Sequence, residues 1–267
     1  MNLNFNFKDY HKIDLNDPIF AYLVKNPHEV GLDEEDLAGK TELQKALMII
    51  GEYFAKISRY TGELASNLLF QSQWGFKTPD WFDHRHHLLD PEKHFTDFWT
   101  ASADNVIFVL PLNGKLLSLC SGDGFYEYYF FRKRAKEIVC IDSNPEVYRH
   151  AVRLHKAENI KYILGDVLDY EPEELYFDVV LIRGAIEHFS QESQQIIFKK
   201  ALKALKIGGW FCGDTPANPN KDKYLLPAHQ NEWDNEDEMR QELTKVFDFV
   251  KTYVLQSLER TTLFWKC

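Results

Sequence analysis

The hydrophobic rhythm of the chain changes near Pro111-Leu-Asn-Gly114. Before that point apolar residues recur every three or four positions, the period of an amphipathic helix. After it they gather in short β-branched runs separated by helix-period stretches, which predicts a mainly parallel sheet. The clearest early helix begins at Thr41, where Thr41-x-x-Gln44 offers a capping box, and its stripe Leu43, Leu47, Ile50, Phe54, Ile57 is expected to be buried. A connection rich in Trp, Asp and His, WGFKTPDWFDHRHHLLDP, precedes another helix expected from Glu92 to about Ala103. In the second part strands are expected at Leu116 to Cys120, Ile138 to Asp142, Lys161 to Leu164, Asp178 to Ile182 and Trp210 to Asp214. Helices should fill Pro145 to Ala157 and Ser190 to Lys206, the latter ending at Gly208-Gly209. The final stretch, FDFVKTYVLQSLERTTLFWKC, reads as two antiparallel strands joined at Glu259-Arg260. The expected organisation is therefore a helical cap or accessory region over 1–113 and a sheet domain over 114–267.

Charge narrows the partners. A formal net charge of −10 disfavours a nucleic-acid backbone as ligand and leaves a small molecule as the better expectation. The first residues lack a basic segment followed by an apolar one, and no apolar run is long enough to span a bilayer, so a soluble protein without membrane attachment is expected. Cys120, Cys140, Cys212 and Cys267 are far apart, with no Cys-x-x-Cys, and read as reduced core thiols of a cytoplasmic protein. Self-association into a homo-oligomer is left open.

The candidate chemistry starts at Leu-Leu-Ser-Leu-Cys-Ser121-Gly122-Asp123-Gly124-Phe125, an apolar strand running into two glycines. A bare loop between strand and helix lets a ligand touch main-chain amides, and the helix N-terminus adds positive potential. A dinucleotide fingerprint requires a third glycine where this chain has Glu127, and a carboxylate there would repel a pyrophosphate. Asp142, followed by Ser143, ends the second strand where an acid accepts from ribose hydroxyls. Asp166, followed by Val167, ends the third, where an acid can accept from an adenine amino group. A nucleoside without phosphates fits all three.

These residues resemble the class I S-adenosylmethionine-dependent methyltransferases over roughly Gly114 to Cys267. The glycine loop, Asp142 and Asp166 fall on the family's motif positions, as do the run Arg183-Gly-Ala-Ile-Glu187-His188-Phe189 after the fourth strand and Ala201 to Phe211 leading into the fifth. Two positions depart from the pattern. Ser118 stands where an acid is usual and Cys120 where the first glycine is usual, which leaves Asp123 as the loop carboxylate able to substitute. The resemblance implies a Rossmann-like, seven-stranded, mainly parallel sheet flanked by helices. It also implies S-adenosyl-L-methionine as cosubstrate, held by Ser121, Gly122, Asp123, Gly124, Phe125, Asp142, Ser143, Asp166, Val167 and Arg183. Some relatives bind a divalent metal through Glu-x-x-Glu-His; the first acid of that pattern is Gly184 here, so no metal is expected.

Methyl transfer to a hydroxyl needs an aligned acceptor and a base. His188, beside Glu187 at the carboxyl edge of the sheet, is one candidate, with the bland alternative of a helix-start histidine bonded to backbone. His229 is the other, in Leu226-Pro-Ala-His229-Gln-Asn-Glu232-Trp233, a long connection that a core-covering Trp would also explain. Glu187, Asp214, Glu232 and Trp233 are the expected substrate contacts, and Arg183 could also hold an acidic group. The run Asp83-His84-Arg85-His86-His87 lacks zinc spacing and reads as a polar lid or interface loop. The favoured function is O-methylation of a small hydroxylated metabolite such as a sugar. The alternatives are a nicotinamide-dependent oxidoreductase or epimerase, and a non-catalytic partner subunit that keeps the fold.

Overall fold

The computed structural model describes residues 17–74, 96–220, 222–256 and 260–267. Two compact units emerge, Met1–Ser72 and Gln73–Cys267. The His-rich run at Asp83 to His87 and the first residues of the helix expected from Glu92 lie outside the described residues.

In the first unit three α-helices are each started by a side chain. Asp17 accepts from the Ile19 amide ahead of α1 (Pro18–Lys25), and Asp33 and Asp36 cap each other's backbone ahead of α2 (Glu34–Leu37). Thr41 and Gln44 make the expected reciprocal pair ahead of α3 (Glu42–Trp74). Of the stripe expected to be buried on α3, only Ile50 is. Ala46, Ile49 and Ile50 are buried, with Ile49 packed on Leu23, Val30 and Leu32, while Leu43, Leu47, Phe54 and Ile57 are exposed. Sequence spacing marks an apolar stripe, but the short elements before α3 cover a face rotated from it.

The second unit opens with α4 (Thr96–Ile107) and continues through β1 (Gly114–Leu119), β2 (Ala135–Asp142), α5 (Pro145–Leu154), β3 (Ile160–Leu164), β4 (Phe177–Arg183), α6 (Gln191–Ala204), β5 (Leu205–Pro216), α7 (Glu236–Leu243), β6 (Lys251–Gln256) and β7 (Thr261–Lys266). The sheet order is β3-β2-β1-β4-β5-β7-β6, parallel throughout except for β7, which runs antiparallel to both β5 and β6. Alternate residues face opposite cores, as a doubly covered sheet requires. Leu117, Leu119, Val180 and Phe211 meet Ile197 and Phe198 of α6 and Met239 of α7. Leu116, Cys140, Leu181 and Phe264 meet Ala103 and Val106 of α4. Helix α4 thus packs on the sheet, and Asn105 donates to the carbonyls of Gly213 at 3.2 Å and Trp265 at 3.1 Å.

Two local expectations shift. Gly208-Gly209 does not close α6; it forms the bulge in β5, with Gly208 at φ +78°, between the Phe177↔Leu205 and Val179↔Trp210 pairings. The aromatic stretch after the glycine loop contains a π-helix, Glu127–Phe131. All four cysteines are free thiols. The order of strands reverses between β1 and β4, so their carboxyl ends diverge and leave a crevice.

Candidate active site

The crevice holds a cavity of about 500 Å³. One wall grows from β1 and β2. After Leu119 the chain turns through Cys120 (φ +53°), Gly122 (φ +58°) and Gly124 (φ +71°), a left-handed sequence that glycine adopts freely and cysteine only under strain. Open space surrounds the position a Cβ would take on Gly122, so a ligand can rest on its backbone, whereas a Cβ on Gly124 would overlap the Tyr162 ring. The loop is tied to β2 because the Gly122 amide donates to Asp142 Oδ2 at 2.9 Å, and the Asn144 amide donates to Asp142 Oδ1 at 2.9 Å. Burial raises the Asp142 carboxyl and these two amides oppose the shift. Beneath the loop, His155 Nδ1 lies 2.6 Å from the Asp123 carbonyl and the Tyr162 hydroxyl donates to the His155 carbonyl at 3.0 Å. Neither His155 nor Tyr162 carries a sequence signal for this role; their convergence beneath the loop reveals them as its floor.

The opposite wall grows from β4 and β5. Arg183 lies with its guanidinium 3.8 Å from the Tyr126 ring centroid and its Nε 3.4 Å from Asp214 Oδ2. Glu187 is buried and its Oε2 accepts from the Thr215 hydroxyl at 3.0 Å; burial pushes its carboxyl up to about 7, with Thr215 and His229 opposing and Asp214 adding to the rise. The His188 and His229 rings stand perpendicular with centroids 4.7 Å apart. His188 Nδ1 lies 3.4 Å from the Ala228 carbonyl, and His229 Nδ1 bonds the buried Glu232 carboxylate, which also accepts from the Leu225 amide at 2.9 Å and from Asn218. A donor Nδ1–H in each ring leaves Nε2 with its lone pair. The long connection carrying His229 is fastened by Gln194, whose amide donates to the Ile186 and Asn231 carbonyls at 2.9 Å each. Ligand atoms of Glu187, His188 and His229 all lie within 4.8 Å of one another.

Of the residues expected from the sequence, Ser121, Gly122, Asp123, Asp142, Ser143, Arg183, Glu187, His188 and His229 line this one cavity. Several do not. Phe125 is core, packed on Tyr126, Tyr129 and Phe130, and Tyr126 is the ring that lines the cavity in its place. Trp233 is also core, against Phe198 and Trp265, so its expected contact with substrate is corrected: an indole that large gains more from burial than a loop tip could return. Val167 is buried in the same core, and exposed Asp166 spends Oδ1 on the Leu168 amide beyond the cavity wall. Asp214 and Glu232 stand behind Arg183 and His229 as their supports. Glu127, Ser118, Cys120 and Arg260 line the cavity without having been expected as contacts.

The residues fit a particular ligand. Four carboxylates, Asp123, Glu127, Asp142 and Glu187, face two guanidinium groups, Arg183 and Arg260. That excess of acid suits a cationic nucleoside and opposes a pyrophosphate. The comparisons agree with the geometry. Residues 116–209 match a family described as a methyltransferase domain. A search of curated proteins by sequence found no match. Among solved structures, DhpI in complex with S-adenosylhomocysteine aligns with a TM-score of 0.52 and 16% identity, over 68% of this chain and 89% of that one. A Leishmania major S-adenosylmethionine-dependent methyltransferase aligns with a TM-score of 0.53 and 14% identity, over 67% of this chain and 76% of that one. A Haemonchus contortus phosphoethanolamine N-methyltransferase aligns with a TM-score of 0.50 and 18% identity, over 59% of this chain and 39% of that one. At such identities the structures speak for the fold, and the family match speaks for the domain. The family match thus lies on the sheet core, residues 116–209, and the solved structures share its fold.

Proposed function

We propose that this chain is an S-adenosylmethionine-dependent methyltransferase that methylates an oxygen of a small, polar, hydroxylated metabolite, with a sugar-like acceptor the best fit, and that His188 is the base. The observation that carries this reading is the perpendicular pair His188 and His229, each with Nδ1 engaged and Nε2 free to accept, at the carboxyl edge of β4. The cosubstrate supplies an activated methyl group. The chain's residues hold the acceptor oxygen in line and remove its proton, His188 from beside the strand end and His229 from the loop that covers it. Glu232 fixes the ring of His229, which favours a binding role for that residue. Four free thiols support a reducing compartment such as the cytoplasm, and among the described residues no helix is long and apolar enough to cross a membrane.

The test is steady-state kinetics with cosubstrate titration. His188→Ala should reduce turnover by about 10²- to 10⁴-fold with cosubstrate affinity nearly unchanged, and His229→Ala should mainly raise KM for the acceptor. Exchange of the two effects reverses the roles; no effect from either removes both histidines from the chemistry. The acid excess argues against a nicotinamide cofactor. The left-handed loop at Cys120 would serve a non-catalytic cosubstrate-binding subunit equally well, and methyl transfer to an acceptor is the result that excludes it. Thermal shift with S-adenosylmethionine, S-adenosylhomocysteine and NAD separates these alternatives.

A second reading rests on the close approach of Glu187, His188 and His229, a donor set that a divalent cation can use, with Glu232 and the Ala228 carbonyl holding the far sides of the rings. Activity that survives EDTA supports the metal-free reading; loss on chelation with rescue by magnesium or zinc supports the second.

A further inference from the structure

We infer that Glu127, carried on the π-helix, receives the amino group of the cosubstrate's methionine end, the carboxylate reaching the cavity across a hydrogen bond from Ser118. The inference rests on the reading of this cavity as the S-adenosylmethionine site. Glu127 is 2% exposed yet lines the cavity, and its Oε1 accepts from the Ser118 hydroxyl at 2.5 Å. Its Oε2 is buried and has no hydrogen-bond partner among the described residues. A buried carboxylate with one oxygen unsatisfied is costly, and it is retained where a cation or a donor completes it.

The two guanidinium groups of the cavity bond other residues, and Arg260 Nε donates to the Thr262 hydroxyl at 3.0 Å. The Arg183 guanidinium stacks on Tyr126 and its Nε faces Asp214. The other acids of this wall are spent on backbone: Asp123 Oδ1 accepts from the Phe125 amide at 3.1 Å, and both oxygens of Asp142 accept from amides. Burial holds the Glu127 carboxyl up to about 7, with Ser118 and Arg183 opposing and Asp123 adding to the rise, a state that an arriving ammonium group would relieve.

Strand order gives the direction. Asp142 ends β2, Ser118 is near the end of β1 and Glu187 follows β4, and these strands are neighbours in that order. A ligand whose ribose rests at Asp142 and whose sulfonium faces His188 crosses β1, where the Glu127 carboxylate stands. The π-helix accounts for an acid at this place: its wider turn, closed by the Arg132 amide on the Glu127 carbonyl at 2.8 Å, begins at Glu127 itself.

The experiment is calorimetric titration of the full chain with S-adenosylhomocysteine and with 5′-methylthioadenosine, which keeps the nucleoside thioether and lacks the amino acid. Glu127→Gln should weaken S-adenosylhomocysteine by about 10- to 100-fold, the scale of a hydrogen bond to a charged group, and leave methylthioadenosine within about twofold. Equal losses for both ligands, or no loss for either, overturn the inference. The double variant Ser118→Asp with Glu127→Gln moves the carboxylate across the same hydrogen bond, and recovery of at least about tenfold in S-adenosylhomocysteine affinity separates a binding role from a packing defect. If Asp123→Asn costs more S-adenosylhomocysteine affinity than Glu127→Gln, the role passes to Asp123 and the inference falls. Should the unaltered protein bind neither nucleoside, the reading of the cavity itself has failed.

Discussion

The two walls of the cavity are built on opposite principles. The wall at β1 and β2 is mostly backbone: three left-handed residues, amides bonded to Asp142, and a floor of His155 and Tyr162 that props the loop from below. The wall at β4 and β5 is side chain on side chain, where Arg183, Glu187, His188 and His229 are each oriented by a second group, Asp214, Thr215, Ala228 or Glu232. A backbone wall binds one fixed partner and tolerates little change. The side-chain wall can be re-specified one residue at a time, so it is the place to look for acceptor selectivity.

That contrast can be broken or sharpened. The largest effect is expected at Gly124, where Gly124→Val meets both a φ of +71° and the Tyr162 ring; S-adenosylhomocysteine affinity should fall by about 100-fold or more, measured by calorimetry with circular dichroism as a check on folding. A mild effect would mean that the loop is not the rigid element described. Next comes Asp142→Ala, which should cost about 2 kcal/mol in S-adenosylhomocysteine binding, the scale of hydrogen bonds to a charged group. Unchanged affinity in an intact fold removes Asp142 from ribose recognition. Smaller still, Glu232→Gln keeps the shape of the support and loses its charge, and should raise the acceptor KM by about tenfold with little change in cosubstrate affinity. A change in cosubstrate affinity instead would show that the walls are coupled.

The pH response is the gentlest test. Glu127 and Glu187 are both raised from 4.5 to about 7, so between those values the native chain keeps protons that the unfolded chain has released. The stabilisation is complete below about 4.5 and is lost as pH rises through about 7. Thermal unfolding of the ligand-free protein should therefore give a Tm contribution from these groups that falls across this window, and Glu127→Gln and Glu187→Gln should each flatten the slope. A slope that neither variant changes would assign it to other groups.

Much of the backbone wall was legible before the structure. Strands β1 to β5 announce themselves as apolar runs, and glycines followed by acids at strand ends have a physical reason to recur. The side-chain wall was legible only as a set of suspects. His188 and His229 could be picked out by position, but spacing along a chain does not say whether Trp233 points into the core or into the cavity, or that Tyr126 rather than Phe125 reaches the cavity. Glu127 was visible only as an obstacle to a pyrophosphate, because its hydrogen bond to Ser118 joins β1 to the π-helix and has no linear signature. The α3 stripe failed for a similar reason: which apolar face is covered depends on where α1 and its successors lie.

The wedge of β7 between β5 and β6 has a consequence for synthesis. Until residues 261–266 leave the ribosome, β5 has an unpaired edge, and the two carbonyls bridged by Asn105 cannot both be present, since one belongs to Trp265. Asn105 waits 160 positions for that partner. Nascent chains carrying β1 to β5 should therefore be the aggregation-prone intermediates of this protein, needing a holdase to shield the β5 edge. Closure of the sheet, and with it the aromatic packing of Trp265 on Phe211 and Trp233, should follow the emergence of residues 261–266.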